Sequence, residues 1–330
     1  MFVIAEIGSV HDGSFGNAMK LIEACAAVGA DCVKFQTHIA EAESLPDAPS
    51  PGYFSDEARM DYFERTAFSE RQLEALKQKA DESGIKFMSS PFSLEAVDLL
   101  EATGVFAYKI PSGEVTNLPM LEKIACTKKP VFLSSGMSDW RELDAAVDVF
   151  KGHCELTVMH CSSAYPCPPE RVGLNVISEM KERYDCAVGF SDHSPGIAAS
   201  VAGAAFGASV IEKHFTFSRL MYGSDAATSL EPGEFRDLCK AVKAVDVMLD
   251  SPVDKNDLSL YEDMRTVFQK SVVAGRNLPA GKVLEFQDIA FKKPGDGIIA
   301  NEYKSLLGRK LRRQLKRNEK LKREDLEKNA

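Results

Sequence analysis

The sequence has no apolar run approaching the ~20 residues that a membrane-spanning helix needs. Its opening, "MFVIAEIG", carries no basic segment, and the apolar stretch is too short for a signal peptide. The expectation is a cytoplasmic chain. The Cys-x-x-Cys spacing is also missing. Eight cysteines (Cys25, Cys32, Cys126, Cys154, Cys161, Cys167, Cys186 and Cys239) lie scattered, which speaks against a disulfide framework or a zinc knot. They read as small buried apolar residues in a reducing compartment. The fingerprint G-x-G-x-x-G is absent as well. "GSVHDGS" after the first apolar run does not fit it, and this weakens the case for an open, doubly wound sheet.

What is present begins with a charge asymmetry. Residues 270–330 hold 16 Lys/Arg against 8 Asp/Glu, a net +8, whereas the rest hold 24 against 41, a net −17. A nucleic-acid-binding tail is one reading of the basic end. Acids interrupt it (Glu319, Glu324, Asp325, Glu327), and no aromatics are interleaved for base stacking. The expectation is therefore no nucleic acid, no membrane, and two units of opposite charge.

Eight short apolar runs recur, at 2–8, 31–37, 85–92, 106–113, 130–136, 156–163, 186–193 and 209–216. Helical patterns separate them. In "NAMKLIEACAAVGA", Leu21, Ile22, Cys25, Ala26 and Val28 share a face and Gly29 stops the helix. "SERQLEALKQKADESG" starts at an N-capping Ser and ends at Gly84. Eight βα units in roughly 250 residues is the count of a (β/α)8 TIM barrel. After about residue 250 the pattern changes to short strands and turns. We read a barrel domain over 1–250, a linker over 251–270 and a small β-rich domain over 271–330. One connection is oversized: residues 38–67 form a Pro- and aromatic-rich segment, which reads equally well as a lid or substrate wall and as a surface insertion.

The polar residues fall late in the runs: Glu6; Lys34 and Gln36; Ser89 and Ser90; Lys109 and Ser112; Ser134 to Gly136; His160, Ser162 and Ser163; Ser191 to His193; Glu212 and His214. Singly, each has a bland reading as a turn residue or solvated charge. Jointly they are hard to dismiss, because the strand ends of a barrel converge on one pocket. Lys34 and Lys109 beside hydroxyls suit phosphate and carboxylate. His193 and His214, on neighbouring strands, can share a divalent ion while leaving positions open for water and substrate. Glu212 and His214 share a strand face, so Lys213 points to the outer layer. These residues alone suggest a barrel enzyme acting on a phosphorylated anion with a divalent metal.

Several motifs then resemble a known family. "AEIG" with "HDGS", "VKFQTH", "SSPFS", "YKIPSGE", "LSSGMS", "HCSSAYPCP", "GFSDHS" and "EKHFT" are similar, in order, to the sialic acid synthases, which include N-acetylneuraminate, legionaminate, pseudaminate and spore-coat polysaccharide enzymes. The tail "SVVAGRNLPAGKVLEFQDIAFKKPGDGI" resembles that family's antifreeze-like (SAF) domain. The resemblance covers essentially the whole chain. It implies condensation of phosphoenolpyruvate (PEP) with an open-chain hexosamine, giving a nine-carbon 2-keto acid. Carried over by motif, Lys34, Ser90, Lys109, Ser112, Ser134, Ser163 and Ser191 bind PEP. Glu6, Gln36, Tyr165, Asp225 and Lys293 face the sugar, and His193 and His214 hold Mn2+, Mg2+ or Co2+. Glu212 manages the water proton, with Glu6 as a second catalytic carboxylate. The resemblance further implies a homodimer whose SAF domains each cap the partner barrel.

Two departures bear on the substrate. Ser163 stands where the family's C-T-N-x-Y-P motif has Asn. Lys293 stands where it has an Arg that reaches the sugar's acylamino group, and Lys lacks the bidentate fork. A differently decorated sugar, such as a diacetamido-trideoxyhexose, is the alternative substrate. Rival readings are a synthase of seven- or eight-carbon keto acids and a non-catalytic carbohydrate-binding protein.

Overall fold

A computed structural model of the chain describes residues 1–50, 57–223 and 225–327. Part of the oversized connection and the last three residues of the small domain fall outside that range. The chain divides into two compact units, Met1–Ser251 and Pro252–Ala330.

In the first unit eight parallel strands close into a barrel, as the eight apolar runs predict. They are β1 (Phe2–Glu6), β2 (Cys32–Thr37), β3 (Lys86–Pro91), β4 (Tyr108–Ile110), β5 (Val131–Ser134), β6 (Leu156–Cys161), β7 (Ala187–Asp192) and β8 (Val210–His214). Eight helices alternate with them: α1 (Phe15–Val28), α4 (Glu70–Glu82), α5 (Leu94–Thr103), α6 (Leu118–Thr127), α7 (Trp140–Phe150), α8 (Asn175–Arg183), α9 (Ala198–Ala205) and α10 (Pro232–Leu249). Two short ones, α2 (Ala40–Glu43) and α3 (Arg59–Thr66), belong to the oversized connection. The helix ends follow local chemistry. Ser14 accepts a hydrogen bond from the Asn17 N–H at the start of α1, and Gly29 ends it in the left-handed region at φ 93°. Ser69 and Gln72 form a capping box on α4, and Asp139 and Glu142 form one on α7.

The period of two along each strand divides its residues between barrel interior and helix layer. Val3, Ala5, Val33, Phe35, Phe87, Leu133, Val158, Phe190 and Ile211 pack outward in the main core. Ile4, Cys32, Met88, Phe132, Met159 and Val210 fill the barrel at the amino-terminal end of the strands, with Phe2 and Phe106 beneath. Two residues further along, the same inward series turns polar: Glu6, Lys34, Ser90, Ser134, Cys161 and Glu212. The barrel is thus a sealed apolar plug under a polar mouth.

The second unit contains helix α11 (Glu262–Phe268) and the antiparallel pair β9 (Ser271–Ala274) and β10 (Ile289–Lys292). Its core gathers Val272, Ala274, Leu278, Leu284, Leu306, Leu311, Leu315 and Leu321. Buried Asp288 pairs with Arg276, and buried Asp325 pairs with Arg313. Ser271 Oγ donates to the Pro294 carbonyl at 2.6 Å and accepts from the Gly297 N–H at 2.9 Å, which fixes the turn that carries Lys293. All eight cysteines of the chain are unpaired, as their spacing predicts. Among the described residues no helix is long and apolar enough to cross a membrane.

Candidate active site

Strand register builds the site. Glu6 lies opposite Lys34 on one side and His214 on the other. Gln36 lies opposite Ser90, and Ser191 is flanked by Cys161 and Glu212. Glu6, Lys34, Gln36, Ser90, Lys109, Ser112, Ser134, Tyr165, Ser191, His193, Glu212 and His214 all line one cavity of about 70 Å3. Ser163 is exposed and lines an adjoining pocket of about 580 Å3 with Gly136, Trp140 and Arg171. Gly136 leaves room for two serine hydroxyls where the two meet. A Cβ there would sit 2.2 Å from Ser163 Oγ and 2.6 Å from Ser112 Oγ. Asp225 accepts from the Ser9 N–H at 2.8 Å just beyond β1. Lys293 belongs to the second unit, with Nζ 5.1 Å from the Phe268 ring centroid.

The centre of the cavity is a buried array of two lysines and two carboxylates. Lys109 Nζ lies 2.8 Å from both Glu212 oxygens, and Ser191 Oγ donates to Glu212 at 3.1 Å. Lys34 Nζ lies 3.1 Å from Glu6 and 3.5 Å from Glu212. Burial would raise the Glu212 carboxyl, but Lys109 and Lys34 outweigh it and hold the group well below the carboxylate range. Burial wins at Glu6, whose carboxyl is raised despite Lys34. At Lys34, burial is overcome by the two carboxylates, so its pKa rises; at Lys109, burial prevails and its pKa falls.

The two candidate metal ligands stand together. The His193 and His214 ring centroids are 5.5 Å apart, with the Tyr165 ring 4.2 Å from that of His193. His214 Nδ1 is buried without a hydrogen-bond partner among the described residues, and burial lowers this imidazole to about 4. A neutral ring with an unspent nitrogen suits a metal. His193 Nδ1 faces Cys161 Sγ at 3.7 Å and the Ser162 carbonyl at 3.3 Å. Burial alone would lower His193, but Cys161 raises it, and the Cys161 thiol falls to about 7 through His193 against its own burial. Among the described residues no three His, Cys, Asp or Glu side chains form a closed metal cluster. An open two-imidazole site would use the unspent Nδ1 of His214 beside the His193 ring.

Four polar residues late in the apolar runs face away from the cavity. Ser89 bonds Thr37 at 2.8 Å, and His160 Nε2 bonds the Val172 carbonyl at 2.6 Å. Lys213 is buried in the outer layer and pairs with Asp192 at 2.9 Å. Strand parity sets Lys213 outward in the sequence, and the same parity could have separated Ser89, His160 and Asp192. Cys161, whose thiol meets His193, reads in the sequence only as one of eight scattered, buried cysteines. The contacts of His38 beside Gln36 went unread.

Residues 21–254 match the NeuB family and residues 269–327 the SAF domain. The chain is 36% identical to the N,N'-diacetyllegionaminic acid synthase of Campylobacter jejuni, over 96% of this chain and 97% of that protein. It is 35% identical to human N-acetylneuraminate-9-phosphate synthase, over 94% and 88%. The crystal structure of the N-acetylneuraminic acid (sialic acid) synthetase of Leptospira borgpetersenii superposes with a TM-score of 0.71 at 29% identity, over 80% of this chain and 90% of that one. The chain belongs to the NeuB family of synthases and carries a SAF domain at its C-terminal end.

Proposed function

We propose that the chain condenses PEP with an open-chain N-acyl hexosamine, N-acetylmannosamine or a related sugar, giving a nine-carbon 2-keto acid and phosphate. One observation carries the reading. Two lysines, several serine hydroxyls and two imidazoles open into a single buried cavity at the polar end of a closed barrel.

In this reading Lys34 and Lys109 neutralise PEP, and Ser90, Ser112, Ser134, Ser163 and Ser191 supply directional donors. The shorter Ser163 takes the place of the family's Asn. Glu6, Gln36, Tyr165, Asp225 and Lys293 face the sugar. His193 and His214 would hold the divalent ion, whether Mn2+, Mg2+ or Co2+. When bound there, such an ion supplies Lewis-acid polarisation of an aldehyde oxygen.

PEP C3 attacks the aldehyde carbon, and the aldehyde oxygen takes a proton. Water adds at C2 and gives up a proton, then the bond from C2 to the phosphate oxygen breaks as the C2 hydroxyl passes its proton to the departing phosphate, leaving the 2-keto group. Lys109 and Ser191 now spend their donors on Glu212. An arriving phosphate competes for them and releases the Glu212 carboxylate to accept the proton of the attacking water.

The alternative sugar is a diacetamido-trideoxyhexose, with a legionaminate or pseudaminate product. Lys293 in place of a forked guanidinium favours it, as does the similarity to a diacetyllegionaminic acid synthase. A homodimer in which the basic small domain caps the partner's acidic barrel completes the proposal, with the cytoplasm, where PEP is available, as its compartment. The experiment is a panel. PEP and Mn2+ are supplied with N-acetylmannosamine, mannose and diacetamido-trideoxyhexoses, and phosphate release and product mass are read. One sugar should give a product heavier by a three-carbon keto acid unit. Phosphate release with none of them would overturn the reading.

A further inference from the structure

The connection after β2 closes over a histidine that no step above uses. His38 follows Gln36 by two residues and is stacked between two rings. Phe63 of α3 lies 3.9 Å away centroid to centroid and Phe92, just after β3, lies 4.1 Å away, both within 20° of parallel. Its side chain is 9% exposed, and that of its partner Glu43 in α2 is 4% exposed. His38 Nδ1 lies 2.8 Å from Glu43 Oε2, and Nε2 lies 3.2 Å from Gln36 Oε1. Gln36 in turn donates from Nε2 to Glu6 Oε1 at 2.8 Å.

The chain of contacts has a direction. A carboxamide has one donor end and one acceptor end, with nearly the same shape. Gln36 spends its NH2 on Glu6, which leaves its oxygen facing His38. The His38 Nε2 must then carry hydrogen. Its Nδ1 faces the Glu43 carboxylate at 2.8 Å. The two flanking aromatic faces and Glu43 hold the ring in place.

Without His38 the Gln36 amide could turn over at no steric cost and set its oxygen against the Glu6 carboxylate. We propose that His38 and Glu43 are positioning residues for the sugar half of the site. They hold the Gln36 amide in one orientation and, through it, fix the Glu6 carboxylate. The described part of the long connection is then the clamp's support: α2 supplies Glu43 and α3 one wall of the sandwich. This rests on the proposed function, in which Glu6 and Gln36 face the sugar.

The test uses the full chain and two variants. His38→Phe keeps a ring between Phe63 and Phe92 and removes both ring nitrogens. Glu43→Gln keeps an acceptor for Nδ1 and removes the charge. His38→Phe should raise the sugar KM about tenfold, the equivalent of one hydrogen bond to a charged group, and leave the PEP KM within about twofold. Glu43→Gln should raise the same constant by less. Nitrogen NMR of the wild-type ring should show hydrogen on His38 Nε2, and His38→Phe should shift the Gln36 side-chain amide resonances. An unprotonated Nε2, unmoved amide resonances, or equal rises in both KM values would overturn the proposal. If the wild type turns over no sugar, the functional reading fails, and the NMR arms still decide the clamp.

Discussion

Glu212 shows how one residue can be both structural and chemical. Its carboxylate is the shared partner of Lys109 and Lys34, and all three side chains are at most 5% exposed. A buried charge is tolerable only when paired, and removing one partner of such a pair costs about 3–5 kcal/mol. Glu212→Gln keeps the shape and an acceptor oxygen but strands the Lys109 ammonium and leaves Lys34 with Glu6 alone. It should lower kcat by about 100-fold or more and also lower the unfolding free energy measured in urea. The pH dependence carries a sign. The folded-state pKa of Glu212 is depressed from its ordinary 4.5, so its contribution is present above that value and lost as pH falls further. The variant should therefore show a flatter stability profile on the acid side. Normal turnover by Glu212→Gln would remove the carboxylate from the proposed water step.

At the level of elements, the barrel was legible because every strand carries the same message twice. Outward positions such as Val33, Phe35 and Val158 are apolar along most of each strand and turn polar only late, at Ser89, His160, Asp192 and Lys213, whereas the inward series changes from Ile4 to Glu6, from Met88 to Ser90 and from Val210 to Glu212. That change also made most of the site legible, since it marks which strand end is the mouth. The rest was not legible because its partners are distant in sequence or in a connection without periodicity. The sandwich around His38 joins rings 25 and 54 residues away, and the Lys109 to Glu212 contact spans 103 residues. Strand pairing also decides the metal prediction. β7 and β8 are neighbours, so their ends bring His193 and His214 together although 20 residues separate them in sequence. Each single Ala variant should lose metal-dependent turnover and weaken Mn2+ binding read by electron paramagnetic resonance. Two folded Ala variants that bind Mn2+ as the wild type does would rule out this pair as the ligands.

Across the whole molecule, charge and exposed surface argue for assembly. The +8 of residues 270–330 and the −17 of the remainder attract at low ionic strength, and a basic cap would lend positive potential to a site for anionic PEP. Leu260, Met264, Val267 and Phe268 are all more than half exposed, an unusual run of large apolar side chains for a surface with no partner. Under the proposed dimer, each complete site needs a barrel from one subunit and a turn containing Lys293 from the other. Complementation in trans tests this directly. Lys293→Ala spoils the cap and leaves the barrel intact, whereas His193→Ala does the reverse. Each variant alone should be nearly inactive. After subunit exchange about half the dimers are hybrids with one complete site of two, so the mixture should regain about one quarter of wild-type activity. The recovery should grow with exchange time and vanish if the subunits are cross-linked before mixing. If both variants are impaired and their mixture never exceeds the sum of the two, the cap acts on its own barrel or not at all, because only a site shared between subunits can be rebuilt from two differently broken chains.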